Sequence, residues 1–177
     1  MTLMRELETK RLRLRRLTRD DTQTIFYNWA SDPEVPKYMT WNVHESVDVT
    51  YGVMDVWLSE YGRPDCYRWG IERKSDGELM GMIDVVGYRD GVPMIGYCSG
   101  KRFWGNGYMT EALEAVRDEL FSDGYDRIII EALDENIGSN RVIQKCGGVL
   151  TASEKKALSG IKPEPVLINT YVLHSEQ

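Results

Sequence analysis

The chain has 177 residues, 42% of them hydrophobic, and 28 acidic against 22 basic side chains give a formal net charge of −6. A domain of this size buries roughly 70% of its unfolded surface, so residues 1–177 are expected to form one domain, and the acidic balance disfavours nonspecific binding to nucleic acid or anionic membranes. Because the sequence shows neither a bilayer-length apolar stretch nor a charged-then-apolar leader, we expect a cytoplasmic protein.

The N-terminal third predicts a strand and two helices. Leucines alternate with arginines from Leu12 to Leu17, which is typical of a half-buried strand. Thr18 and Asp21 form a capping-box pattern that opens a helix ending near Ala30. A second helix is predicted from about residue 45 to residue 61, with a buried face that carries Val49, Val53, Val56 and Trp57.

The rest of the chain predicts a mixed sheet and two more helices. Strands are expected at 67–73, 78–86, 92–98, 127–133, 149–153 and 167–173, and helices at 108–124 and 139–146. The first two of these strands join through the tight turn Ser75-Asp76-Gly77, and the last two form an antiparallel pair. This order indicates a single α/β unit without repeats.

A glycine-containing loop connects the strand at 92–98 to the next helix. It reads Arg102-x-x-Gly105-x-Gly107, so its backbone can approach a ligand closely, and the N–H groups of the first helical residues can converge on anionic oxygens. A Walker loop is excluded because Tyr108 and Met109 follow the last glycine, and the third glycine of a Rossmann motif is missing. The loop predicts a pyrophosphate site, with a plain structural turn as the alternative.

A second motif, Asn136-x-x-Ser139, opens the short helix that ends at Gly147. Together with the glycine loop it resembles the GNAT superfamily of N-acetyltransferases, most closely the branch that acetylates ribosomal-protein N-termini. The resemblance implies a single-domain GNAT-like α/β (α+β) fold with a mixed, mostly antiparallel central sheet flanked by helices. Two central strands of this sheet splay apart and admit the pantetheine arm.

The same resemblance implies acetyl-CoA as cosubstrate and an amine as acceptor, with no metal. The residues that it assigns to coenzyme binding are Tyr97, Cys98, Arg102, Gly105, Asn106, Gly107, Tyr108, Asn136, Ser139, Asn140 and Arg141. Backbone N–H groups around Tyr97 and Cys98 are expected to stabilise the oxyanion of acyl transfer.

The chemistry of acyl transfer narrows the acceptor. An amine attacks a thioester only when neutral, and an α-amino group with a pKa of about 8 meets this condition more easily than a lysine at about 10.4. This favours a protein N-terminus or a similar amine. The sequence leaves a ribosomal protein, a free amino acid, a polyamine and a drug open as acceptors.

Three residues are candidates for proton transfer. Many superfamily members use a tyrosine four residues before the glycine that closes the last helix, but here that position is Ile143. The resemblance to the ribosomal-protein branch implies that Ser139 assists the departing sulfur, because a serine at the matching position has this association there, and helix capping is its alternative role. Asp84 and Glu131 are the candidate bases, and the alternative for each is that strand alternation directs it to solvent.

Aromatic residues of the N-terminal region are predicted to wall the acceptor site. These are Trp29, Tyr38 and Trp41, and the alternative is that they cap the core. Nothing in the sequence decides between a monomer and a homodimer.

The cysteines favour neither a metal site nor a disulfide. Cys66, Cys98 and Cys146 are widely spaced, and only His44 and His174 could join them as ligands, so buried thiols in a reducing compartment are expected.

Two functions that compete with the direct transfer of an acetyl group remain open. One is an acyl-CoA-binding module without turnover, and the other is a transferase that forms a covalent intermediate on Cys98.

Overall fold

The computed structural model describes residues 3–158 and 162–176. Its strands are β1 Leu7–Glu8, β2 Leu12–Arg15, β3 Arg68–Arg73, β4 Leu79–Arg89, β5 Val92–Ser99, β6 Arg127–Leu133, β7 Val149–Leu158 and β8 Lys162–His174. Its helices are α1 Thr22–Ile25, which continues as a π-helical turn over Phe26–Ala30, then α2 Val47–Glu60, α3 Tyr108–Ser122 and α4 Ile137–Lys145. Short 3₁₀ turns lie at Arg19–Asp21, Pro36–Tyr38 and Lys101–Phe103.

The strands form one open sheet in the order β1-β2-β3-β4-β5-β6-β8-β7. Within the described residues every neighbouring pair is antiparallel except β5 and β6, which are parallel. The predicted mixed, mostly antiparallel sheet of an α/β (α+β) fold is therefore confirmed.

The two central strands separate along their length. β5 and β6 pair only at Met94 with Ile129 and at Ile95 with Ile130, although β5 runs on to Ser99. The two strands therefore diverge after Ile95 and leave an opening in the sheet, which we call the slot. The predicted splay of the central strands is present at this point.

Helices cover both faces of the sheet. On one face α3 and α4 bury Leu113, Val116, Leu120 and Ile143, none of which is exposed to solvent. The apolar positions of α3 recur at helical spacing, and each such buried side chain contributes about 1.5–3 kcal/mol relative to an exposed one. On the other face α1 and α2 cover a smaller cluster that includes Trp29, Met54, Met82 and Cys98.

The predicted buried face of α2 is wrong in part. Val49 and Val56 are 46% and 57% exposed, whereas Thr50 and Met54 are buried. The prediction missed Thr50 because its side chain is polar. The hydroxyl oxygen of Thr50 lies 2.8 Å from Nδ1 of His44, and this hydrogen bond offsets the cost of burying the hydroxyl. The buried stripe of α2 therefore lies beside the predicted one.

Other boundaries differ from the sequence-based expectations. The capping box at Thr18 and Asp21 is present, but it opens a 3₁₀ turn that passes through α-helical into π-helical geometry rather than one regular helix. β7 and β8 form a longer hairpin than predicted. In the described part of the chain no helix has the length and apolar character that a membrane span requires.

Candidate active site

The glycine loop prepares the start of α3 for an anion. Gly105 and Gly107 have φ values of 78° and 77°, which is the left-handed region that favours glycine. The first helical hydrogen bond runs from the N–H of Glu111 to the carbonyl of Gly107 at 3.1 Å. The N–H groups of Tyr108 to Thr110 precede this bond and have no helical acceptor, so they can bind the pyrophosphate of a coenzyme.

Positive charge reaches this loop from an unexpected residue. Arg102 donates from Nη2 to Oε1 of Glu78 and to Oδ1 of Asn28, at 3.1 Å from the latter, so its side chain is held by partners outside the loop. Arg11 instead donates from Nη1 to the carbonyl of Asn106 at 2.9 Å, and its guanidinium carbon lies 4.4 Å from the ring centre of Tyr108. Its Nε also donates to Oε2 of Glu111 at 2.9 Å, so part of this charge is balanced within the first turn of α3. No local pattern could have indicated Arg11, which is far away in sequence.

The loop itself is held by a side chain. Asn106 Nδ2 donates to the carbonyls of Phe103 and Trp104 at 3.2 and 3.1 Å. These bonds fix the turn between the two glycines. Asn106 is therefore engaged in shaping the loop, while its own carbonyl accepts from Arg11.

We expect Gly107→Val to weaken acetyl-CoA binding by about tenfold or more, which corresponds to about 1.4 kcal/mol. A β-branched residue resists the positive φ at this helix start and would displace the N–H groups of α3. Calorimetric titration with acetyl-CoA measures the effect. Gly77→Val is the matched control, because Gly77 also has a positive φ, 72°, but lies in the β3–β4 turn. Equal affinity in wild type and Gly107→Val would rule out the loop as the pyrophosphate site.

Strand pairing determines which backbone groups face the slot. Gly100 donates its N–H to the carbonyl of Met80 at 2.9 Å. Cys98 and Gly96 lie two and four residues before Gly100 and are opposite Met82 and Asp84, so their N–H groups also point toward β4. Backbone groups of successive residues alternate between the two neighbouring strands. The N–H of Tyr97 therefore faces the slot, whereas that of Cys98 faces β4, which limits the predicted oxyanion donors to Tyr97.

The start of α4 corrects the predicted cap. Asn136 is the N-cap, since its Oδ1 accepts the N–H of Ser139 at 3.2 Å, and the helix begins at Ile137 rather than at Ser139. Capping by Ser139 is therefore wrong. Its hydroxyl instead lies 2.7 Å from the hydroxyl of Tyr97. Burial raises the pKa of Tyr97, and the hydrogen bond with Ser139 opposes this shift only in part.

Asn140 and Arg141, two neighbouring residues of α4 that were predicted to bind the coenzyme, have different surroundings. Asn140 donates to the carbonyls of Leu133 and Asn136, and its Oδ1 accepts from Asn169 and Tyr171 at 3.0 and 2.7 Å. Its side chain thus fastens α4 to the sheet. Arg141 is exposed on α4 and is available to a ligand outside the fold.

A cavity of about 380 Å³ lies on the α1–α2 face of the sheet. Trp29 and Trp41 line it, and so does His44 at the end of the same N-terminal segment, together with Trp57 and Arg68, which sequence reasoning did not place there. The cavity reaches β5 along Gly96 to Cys98, where the slot opens. Tyr38 lies in the turn Pro36–Tyr38 and does not line this cavity, so its place in the acceptor wall stays a prediction.

Asp84 lies in the floor of this cavity. Its Oδ2 accepts from Nε of Arg68 at 3.3 Å, and Arg68 also donates from Nη1 to Oε2 of Glu60 at 2.8 Å. Burial raises the pKa of Asp84 to about 6, although the charge and hydrogen bond of Arg68 act in the opposite direction. The alternative that Asp84 points to solvent is wrong, because it is only 8% exposed.

Glu131 has a structural environment. It lies 2.9 Å from Arg89 and 3.4 Å from Lys156, and it does not line the cavity. Burial acts to raise its pKa, but the hydrogen bond and charge of Arg89, with Lys156, outweigh it and lower the pKa. The structure thus brings Asp84 to the cavity and Ser139 to Tyr97, but it brings Glu131 to neither.

The cysteines and potential metal ligands can now be placed. Cys98 and Cys146 are buried and Cys66 is half-buried, so the expectation of buried thiols fails for Cys66. Burial raises the pKa of Cys98 to about 12, and nearby Asp84 adds to this shift. Among residues 3–158 and 162–176 no cluster of His, Cys, Asp and Glu side chains is arranged to hold a metal ion.

The splayed strand pair, the glycine loop at the start of α3 and the cavity at the slot together have the arrangement that the resemblance to acetyl-CoA-dependent transferases implies. The chain belongs to the GNAT acetyltransferase family, because the family model for the acetyltransferase (GNAT) domain matches residues 11–149. Acetyl-CoA is thus its cosubstrate, and an amine is the acceptor.

Curated relatives support this assignment. The uncharacterized N-acetyltransferase YoaA of Bacillus subtilis is 33% identical over 144 residues, which cover 80% of this chain and 81% of YoaA. The uncharacterized N-acetyltransferase p20 of Bacillus licheniformis is 31% identical over 147 residues, which cover 79% of this chain and 80% of p20.

Solved structures share the fold at lower identity. A GNAT acetyltransferase from Bacillus anthracis superposes with a TM-score of 0.84 at 22% identity and covers 98% of this chain and 100% of its own. The microcin C7 self-immunity acetyltransferase MccE, in complex with acetyl-CoA and AMP, gives 0.82 at 18% identity, with 94% of each chain covered. RimL, a ribosomal L7/L12 alpha-N-protein acetyltransferase in complex with coenzyme A, gives 0.82 at 17% identity, with 96% and 98% covered.

Proposed function

We propose that the protein moves the acetyl group of acetyl-CoA directly to a primary amine within a ternary complex. The observation that carries this proposal is the position of the cavity: it meets β5 at Gly96 to Cys98, where the slot begins. An amine in the cavity and a thioester in the slot can therefore meet without leaving the protein. Holding both reactants in this way converts a bimolecular reaction into an effectively unimolecular one.

Three groups of the chain have roles in this mechanism. Asp84 accepts the proton that the amine loses, since its carboxyl has a pKa of about 6 and is ionised at neutral pH. The N–H of Tyr97 points into the slot and can stabilise the developing oxyanion. Ser139 donates a hydrogen bond from its hydroxyl to the departing thiolate and keeps its proton, and the hydroxyl of Tyr97, 2.7 Å away, orients it.

The coenzyme fits the residues that are present. Acetyl-CoA supplies the thioester, and its pyrophosphate would be held by the N–H groups at the start of α3. Arg141 is exposed beside the second motif and supplies positive charge there, whereas Arg11 and Arg102 are already paired with Glu111 and Glu78. Asn136, as the cap of α4, positions Ser139 beside the slot.

The acceptor that we propose is a protein N-terminal α-amine or a small molecule with a similar amine. A lower amine pKa leaves more of the neutral nucleophile at neutral pH. Proteins of the same fold include one named for ribosomal-protein acetylation and one named for self-immunity to an antibiotic. A cytoplasmic location stays a prediction, as does the choice between monomer and homodimer.

Two measurements test the proposed activity. Calorimetry with acetyl-CoA tests cosubstrate binding, and a thiol-release assay over a panel of N-terminal peptides, amino acids, polyamines and aminoglycosides tests turnover. We expect both to be positive. Binding of acetyl-CoA without thiol release for any amine would favour an acyl-CoA-binding module instead.

We expect Trp41→Ala to raise the acceptor KM, or to change acceptor preference, while acetyl-CoA affinity stays nearly constant. Trp41 lines the cavity and contacts His44 edge-on, with ring centres 5.7 Å apart. Steady-state kinetics with each substrate varied in turn separate the two effects. Tyr27→Ala is the matched control, because Tyr27 is 73% exposed and lies outside this cavity. An equal loss for both substrates would assign Trp41 to the core.

A further inference from the structure

A cluster of three charged side chains lies at the cavity floor, and two of them, Asp84 and Arg68, line the cavity, whereas Glu60 does not. Asp84 and Glu60 share the single guanidinium of Arg68, at 3.3 and 2.8 Å. With both carboxylates ionised, this cluster carries a net charge of −1. Arg68 is buried at 8% exposure and also stacks 5.2 Å from the ring centre of Trp57, so it is committed to this position.

One oxygen of Asp84 is left for a ligand. Arg68 occupies Oδ2, and no described residue donates to Oδ1. Among the described residues no fully buried side-chain oxygen lacks a hydrogen-bond partner. Oδ1 must therefore be reachable from the cavity that Asp84 lines. A carboxylate oxygen in this position is an acceptor that awaits a donor.

The walls around this oxygen are mainly apolar. Trp29, Met39, Trp41, Trp57 and Met82 supply most of the lining. The volume of about 380 Å³ lies at the small end of ligand sites. Such walls accommodate one ring or one branched side chain, and aromatic faces also attract a cation.

Two other polar side chains of the lining, Arg68 and His44, offer no second carboxylate to a ligand, and the guanidinium of Arg68 is shared by Asp84 and Glu60. Nδ1 of His44 is taken by the hydroxyl of Thr50, and burial lowers the pKa of His44, so this ring is neutral at pH 7. Asp84 is the one acidic side chain among the described lining residues. A polyamine would thus bury a second ammonium without a carboxylate beside it, and an anion would lie next to the carboxylate of Asp84, whose counter-charge Arg68 is shared with Glu60.

We propose that this cavity selects a primary ammonium carried on one compact apolar or aromatic group, with the ammonium held at Oδ1 of Asp84. This rests on the proposed function, since it names the acceptor class of that same site. The chemistry is shared by an aromatic monoamine and by the first residue of a peptide with an apolar N-terminus. In both, the apolar group fills the tryptophan-lined space and the amine faces the slot at Gly96 to Cys98. For transfer, the ammonium first loses one proton to solvent, and Asp84 accepts the second proton after the neutral amine has attacked the thioester.

The test uses the full chain loaded with coenzyme A and follows binding by calorimetry. The probe is 2-phenylethylamine, and 3-phenylpropanoate has the same shape with the opposite charge. We expect the amine to bind at least about tenfold more tightly than the carboxylate and than spermidine. Asp84→Asn should reduce amine affinity by about tenfold. Asp118→Asn, an exposed change on α3, should leave it unaltered.

A second arm separates the two sources of the ammonium. The tripeptide Phe-Gly-Gly and its N-acetylated form are compared with 2-phenylethylamine. Tighter binding of the free tripeptide indicates a peptide N-terminus, and tighter binding of the monoamine indicates a small molecule. Binding of the N-acetylated form as tightly as the free form would overturn the proposal.

Failure of this proposal can be told from failure of the proposed function. Equal affinity for 2-phenylethylamine and 3-phenylpropanoate, or an amine affinity unaffected by Asp84→Asn, overturns the assigned acceptor class. If acetyl-CoA then still acetylates spermidine or a polar peptide, the transferase activity stands with another acceptor. Selective ammonium binding without transfer to any amine contradicts the activity and leaves the ligand class intact.

Discussion

Asp84→Asn is expected to lower kcat/KM for the amine by about a hundredfold, the low end of what general acid–base catalysis contributes. The carboxylate at the cavity floor is the group that can receive the amine proton, and asparagine keeps its shape without its basicity. Asp84 is buried and lies beside Arg68, so its loss leaves Arg68 with Glu60 as counter-charge. Steady-state kinetics of thiol release measure the effect.

The pH profile distinguishes a base from a structural group. Since Asp84 has a pKa of about 6, its ionised form is present above that pH and is lost as the pH falls through it. In the wild type, log kcat/KM should fall with decreasing pH because the amine is protonated, and the fall should steepen below about pH 6. Asp84→Asn should lack this second bend. A steepening that survives in the variant contradicts the role of Asp84, and Asp118→Asn controls for the change in net charge.

Ser139→Ala is expected to lower kcat by roughly ten- to a hundredfold, with a smaller change in acetyl-CoA affinity. The hydroxyl of Ser139 lies 2.7 Å from that of Tyr97 beside the slot, and Ile143, at the position where many GNAT enzymes have a tyrosine, is fully buried. Because Asn136 caps α4, removal of the Ser139 hydroxyl leaves the cap in place. Pre-steady-state and steady-state thiol release give the two parameters.

The control for this variant is Ser59→Ala, which removes an exposed hydroxyl that bonds only locally, to the carbonyl of Val56. It should behave as the wild type. Tyr97→Phe should lower kcat less than Ser139→Ala does, because Tyr97 orients the donor and does not contact the sulfur. An unchanged kcat in Ser139→Ala would show that the thiolate leaves without help from this hydroxyl.

Features with a local signal could be predicted from the sequence. The glycine loop and α3 follow from backbone freedom at Gly105 and Gly107 and from apolar residues at helical spacing. The splay of the central strands was predicted from the resemblance to the GNAT superfamily, which rests on the glycine loop and the Asn136 motif together. Trp29 and Trp41 line the cavity, and their aromatic side chains in the N-terminal region were the local signal for it.

Features built from distant residues could not be predicted. Arg102 was assigned to the coenzyme because it lies beside the glycine loop in the sequence. Its side chain instead donates to Glu78, which is distant in the sequence and is brought close only by folding. The cluster of Glu60, Arg68 and Asp84 joins α2, β3 and β4, and no pattern within one element indicates it. The cap of α4 was misplaced because Asn136 and Ser139 are both good N-cap residues, and only the backbone decides between them.

Intact-mass spectrometry of the protein with acetyl-CoA, before and after an amine is added, tests direct transfer most directly. Cys98 is the alternative nucleophile, but burial raises the pKa of its thiol to about 12 and so keeps the thiolate scarce. We expect no acetyl adduct on the protein, an acetylated amine after its addition, and most of the activity retained in Cys98→Ala. An adduct that forms with acetyl-CoA alone, disappears with amine and is abolished by Cys98→Ala would contradict direct transfer and establish a covalent route.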